Sequence, residues 1–83
     1  MARVILTDSI SKAFTAGVSE LEIPALNVRQ LIRQLDERYP GLGAEVNNGA
    51  LSVAIDGDIY QDAFLEDLKP NSEVAFLPKI GGG

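Results

Sequence analysis

One stretch of the chain carries a clear helical period, and it limits what the remaining residues can build. Val28, Leu31, Ile32, Leu35 and Tyr39 recur at i, i+3, i+4, i+7 and i+11, which lays an apolar stripe along one side of a helix. Arg29, Gln30, Arg33, Gln34, Asp36 and Glu37 take the opposite side, most simply as a solvated face. Asn27 is a good N-cap and Pro40-Gly41 stops the pattern, so the spacing predicts a helix over 27–39. With 83 residues there is room for one core, so this stripe must be buried against strands of the same domain.

The other apolar segments read as those strands. Arg3 to Thr7 is β-branched and apolar, suited to a buried central strand, and Asp8-Ser9 reads as turn material, as does Thr15-Ala16-Gly17. Ser19 to Pro24 alternates polar and apolar, the pattern of a half-buried strand. After the helix, Leu42 to Ala50 is rich in Gly and Asn and reads as a connection. Leu51 to Ile55 is a strand, Asp56-Gly57-Asp58 a tight hairpin turn, and Ile59-Tyr60 a short returning strand. Leu65 to Leu68 suggests one helical turn, and Glu73 to Pro78 the last strand.

One dominant amphipathic helix among short strands implies an α+β, two-layer domain: a mixed sheet of four to five strands packed on one main helix. The two terminal strands, 3–7 and 73–78, are the most apolar and belong at the centre, adjacent and parallel, with both faces shielded. That arrangement is the β-grasp, or ubiquitin-like, fold. It assigns 1–78 to the domain and leaves 79–83 as a flexible glycine tail.

Composition removes several kinds of function. There is no Cys for a disulfide or thiolate metal site, and no His, the commonest general base and metal ligand. The net charge of −5 argues against nucleic acid or an anionic membrane as the main partner. Apolar runs are far short of the roughly 20 residues that span a bilayer, and the amino terminus reads as a strand, so a cytoplasmic location is expected. Asp56 and Asp58 flank a glycine, and turn formation explains them more simply than a metal site.

The chain closes on Ile80-Gly81-Gly82-Gly83. Such a run weakens any strand or helix, but it offers a tail without side chains, thin enough to thread a narrow pocket on another protein. On that reading the Gly83 carboxylate is itself the reactive group. A frayed end is the plain alternative.

Asp56-Gly57-Asp58 after a Val-Ala-Ile strand, and Ser72 to Pro78 leading into the glycines, resemble the MoaD/ThiS family of ubiquitin-like sulfur carriers, closer to the MoaD side. The likeness covers essentially the whole chain. It implies a carrier with no catalytic residues and no cofactor of its own. An adenylating enzyme of the MoeB/ThiF type would use ATP and Mg to activate Gly83, a persulfide would convert it to a thiocarboxylate, and a synthase would take the sulfur. That synthase would be the large subunit of molybdopterin synthase or a cysteine-forming synthase. Gly81 and Gly82 would thread the tail, and Ile59 and Leu77 fall where the family places hydrophobic partner contacts; ordinary sheet packing is the alternative for both. Lys79 would pair with an acidic patch on the partner, or simply lie in solvent. Thr7 stands where many MoaD-type proteins carry an aromatic residue, and Gly81 where many relatives have a different small residue. The acidic set Glu66, Asp67 and Glu73 suits a basic groove on an activating enzyme, and equally a solvated surface. A protein modifier joined to lysines through Gly83, and a pure interaction module, stand beside the carrier as alternatives.

Overall fold

A computed structural model describes residues 1–60 and 63–78. In chain order the elements are β1 (Ala2–Leu6), α1 (Asp8–Phe14), β2 (Glu20–Ile23), α2 (Val28–Arg38), α3 (Leu42–Asn47), β3 (Leu51–Ile55), β4 (Asp58–Tyr60), a 3-10 turn (Ala63–Leu65) and β5 (Glu73–Pro78). The strands form one five-stranded sheet in the order β2-β1-β5-β3-β4. The terminal strands pair in parallel, Val4 opposite Val74 and Leu6 opposite Phe76, while the neighbours on either side run antiparallel. This is the expected β-grasp.

Alternation along each strand sends one set of side chains toward the helices. Ala2, Val4 and Leu6 from β1, Val74 and Phe76 from β5, and Val53 and Ile55 from β3 are buried there with Val28, Leu31, Ile32 and Leu35 of α2. The helix forms as its period predicts, with the Asn27 side chain accepting the Gln30 N–H at 2.9 Å and Tyr39 closing the end. The β3–β4 hairpin turns on Asp56 and Gly57, both left-handed at φ +49° and +92°, as a two-residue hairpin loop requires. Asp58 belongs to β4 rather than to the turn.

Five further expectations need correction. The first strand ends at Leu6, because Thr7 leaves the sheet to cap α1: its hydroxyl accepts the Ile10 N–H at 3.3 Å. Asp8-Ser9 therefore opens a helix rather than a turn, one held by buried Ile10 and half-buried Phe14. The segment 42–50 is not simply a connection, since it contains α3 with Leu42 buried. The helical turn near Leu65 to Leu68 comes earlier, at Ala63–Leu65. Finally, the central strands are shielded on one face only, because the helices cover just the side that carries Val4, Val74 and Phe76.

α3 illustrates how tertiary contacts replace local signals. Its N-cap, Gly41, has no side chain to offer. Asp36, on α2, supplies the missing acceptor by taking the Gly43 N–H at 2.8 Å. The approach is so close that a Cβ on Gly43 would collide with the Asp36 carboxylate and press on Ile32 at 3.0 Å. Gly43→Ala is therefore expected to lower stability by about 1–2 kcal/mol, the worth of a lost cap plus the strain. In thermal melts that is a fall of roughly 4–8 °C per kcal/mol. An unchanged midpoint would show that α3 does not depend on this contact.

Candidate docking face

The sheet side away from the helices carries the other half of each strand's alternation. Register places four apolar residues there in one cross-strand row: Ile5 opposite Ala75, Ala75 opposite Ala54, and Ala54 opposite Ile59. Ile59 is 66% exposed, although most strand isoleucines in small domains are covered. Ile5 and Ala75 are half-buried, and Ala54 is buried between its neighbours. Leu77, half-buried, lies on the same side opposite Ser52, one step nearer the end of β5. The row is thus a shallow floor of two alanines between two isoleucine ridges, extended by Leu77 toward the C-terminal end of β5.

Of the residues singled out from the sequence, the structure gathers Ile59 and Leu77 onto this face. Lys79, Gly81, Gly82 and Gly83 lie outside the described residues, and so does the expected boundary between domain and tail. Thr7 serves the fold as a cap. Ile5, Ala54 and Ala75 escaped the sequence reading, because the long-range pairings of β5 with β1 and with β3 are what align them.

Charged residues sit at the far end of the face. Arg3 stands opposite Glu22 on β2 and Glu73 on β5, and its Nε donates to Glu20 at 2.6 Å. That hydrogen bond and the Glu20 charge, helped by Glu73 and Glu22, hold the guanidinium above its ordinary pKa. The acidic set expected from sequence is divided: Asp67 pairs with Asn27 at the start of α2, while Glu73 joins the open face.

Other groups on the surface are occupied with structure. The Asp56 carboxylate accepts the Glu73 N–H at 2.9 Å and the Ser72 hydroxyl at 3.2 Å, tying the hairpin turn to the start of β5. Among the described residues no three carboxylates are close enough to hold a metal ion. A cleft of about 570 Å³ lies between α2 and α3, lined by Arg29, Arg33, Asp36, Gly43 and Phe64. No helix among the described residues is long and apolar enough to cross a membrane.

The model of the ThiS family matches residues 11–83. The chain belongs to the ThiS family. A curated relative from Pyrenophora tritici-repentis, the molybdopterin synthase sulfur carrier subunit, is 32% identical over 82 residues, covering 95% of this chain and 87% of the relative. The chain therefore stands among carrier proteins of the MoaD/ThiS type, small subunits rather than catalysts. Two solved structures share the fold at low identity. A chain of the Amycolatopsis orientalis BexX/CysO complex superposes with TM-score 0.84 at 17% identity, covering the whole of both chains. Small archaeal modifier protein 1 from Methanosarcina acetivorans gives 0.80 at 23%, covering 99% of this chain and 95% of that one. These two likenesses establish the β-grasp and do not choose between carrier and modifier.

If Ile59 contacts solvent rather than core, Ile59→Ser should change unfolding stability by no more than about 0.5 kcal/mol. Urea denaturation measures this, and a loss above about 1.5 kcal/mol would make Ile59 a packing residue instead.

Proposed function

We propose that this chain is a sulfur carrier that works through a thiocarboxylate at Gly83, with molybdopterin assembly as the favoured destination of the sulfur. The observation that carries the reading is the 32% identity, across almost the whole chain, with a molybdopterin synthase sulfur carrier subunit. The open apolar face and the Gly81-Gly82-Gly83 run agree with it.

The chemistry follows from what a carboxylate lacks. It is a poor acyl donor, so an activating enzyme of the MoeB/ThiF type, using ATP and magnesium in its own site, first makes the acyl adenylate and releases pyrophosphate. The terminal sulfur of a persulfide displaces AMP, and a second thiol cleaves the resulting S–S bond to leave the thiocarboxylate. A synthase subunit then accepts the sulfur. This chain contributes position. Its apolar row docks against each partner in turn, and glycines without Cβ atoms let the carboxylate enter the partner's site, where proximity supplies much of the rate. Lys79, at the root of the tail, would meet an acidic group on the partner.

Co-expression with such an activating enzyme and its persulfide donor should raise the intact mass by the difference between a sulfur and an oxygen atom. Deleting Gly82 and Gly83 should abolish the change and leave thermal unfolding unaltered. Higher-mass conjugates through lysine would replace the carrier reading with a modifier, and an unaltered mass would leave only an interaction module.

A further inference from the structure

The open face has a direction. Its middle row, Ile5, Ala75, Ala54 and Ile59, is apolar from strand to strand, and the residues on the tail side, Leu77 with small Ser52 opposite, are uncharged. At the other end the row Glu22, Arg3, Glu73 is fully charged, and Glu20 adds a carboxylate beside Ile5. Glu73 and Leu77 are four residues apart on β5, about 13 Å along the strand.

That charge is unbalanced. Glu20, Glu22 and Glu73 oppose only Arg3, so three negative groups and one positive leave a net −2. Arg3 is committed to Glu20, the one ion pair among the described residues. Glu22 and Glu73 act on Arg3 only at longer range and have no ion-pair partner within the described part of the chain.

An apolar stripe with alanines in the middle and isoleucines at both ends distinguishes poorly between two docked orientations related by a half-turn about the sheet normal. Only one of the two sends the carboxyl end toward a partner's reactive centre. Like charges set against each other disfavour the wrong pose, and opposite charges steer the right one.

We propose that Glu22 and Glu73 are an orientation mark read by the activating enzyme, which presents an apolar centre to the Ile5–Ile59 row and lysine or arginine side chains to the charged row. This rests on the carrier reading above. A second copy of this chain is the poorer occupant, since a two-fold axis along the strands would bring net −2 against net −2, and one across them would set the charged row against Leu77. The pair lies at the rim of the apolar row and so acts on encounter and docking, leaving the chemical step untouched.

The test is carrier-dependent ATP–pyrophosphate exchange by an activating enzyme of the MoeB/ThiF type, at about 0.05 M and about 0.5 M salt. The variant is E22Q/E73Q. The control, E37Q/E45Q, removes the same charge from the helical side, where Glu37 is on α2 and Glu45 on α3. The face variant should raise KM roughly three- to tenfold at low salt with kcat unchanged, and should flatten the dependence of KM on salt. The control should stay close to the wild-type chain. Equal KM values for the two variants would overturn the proposal, because net charge rather than its placement would then matter. A kcat fall at constant KM would also overturn it. A wild-type chain that supports no exchange sinks the carrier reading itself, and this inference with it.

Discussion

The parallel pairing of β1 with β5 is the contact on which the rest of the molecule depends. It joins the first residues of the chain to the last described ones, Arg3 opposite Glu73 through Leu6 opposite Phe76, and the Arg3 N–H extends the ladder to the Ser72 carbonyl at 2.8 Å. Without it the sheet divides into β2–β1 on one side and β5–β3–β4 on the other. Val4, Leu6, Val74 and Phe76 would then lose their burial, each worth about 1.5–3 kcal/mol for a full-sized apolar side chain. Everything between the two strands is one long crossover. The entropy of closing it opposes the pair, so it is a long-range contact rather than a local one.

The same pairing brings Ile5 to the open apolar face. Ile5 comes from the start of the chain and Ala75 from β5, and nothing local relates either to the Ala54–Ile59 pair of the β3–β4 hairpin. The open face and the core are therefore coupled by topology. The inward set of β1 and β5 side chains builds the core, and the outward set of those same strands builds the row. A register slip of one residue would exchange the two sets, burying Arg3 and exposing Val4, and the core forbids it.

How much of this was legible depended on whether the cause was local. α2 could be read because its stripe, its Asn27 cap and Pro40 lie within one segment, and the β3–β4 turn could be read because Asp-Gly is the chemistry that a left-handed pair demands. α1 and α3 could not. Each is shorter than two full turns, and neither would persist alone. α3 owes its first turn to Asp36, seven residues upstream on another helix, which no reading of residues 42–47 contains. Thr7 looked like the end of a strand by composition, and became a cap because the chain must turn away from the sheet there. At the site, Ile59 and Leu77 were visible through family resemblance, whereas the alanine floor was not, since small residues leave no pattern until register aligns them.

Those alanines explain how a domain without histidine or cysteine can still present a specific surface. Ala54 and Ala75 keep the backbone of two central strands close to the surface, so the face dips between Ile5 and Ile59. Larger residues there would fill the dip and give a convex sheet with more apolar area but less shape. Ile59 costs the fold little in this position, because a β-branched residue suits a strand whether or not its outer side is covered. What the surface lacks in area it regains from direction: charge at the start of β5 and apolar residues along its middle and toward its end. On the proposed reading, a carrier handed between partners needs shallow, reversible contacts, and it needs each of them to fix orientation.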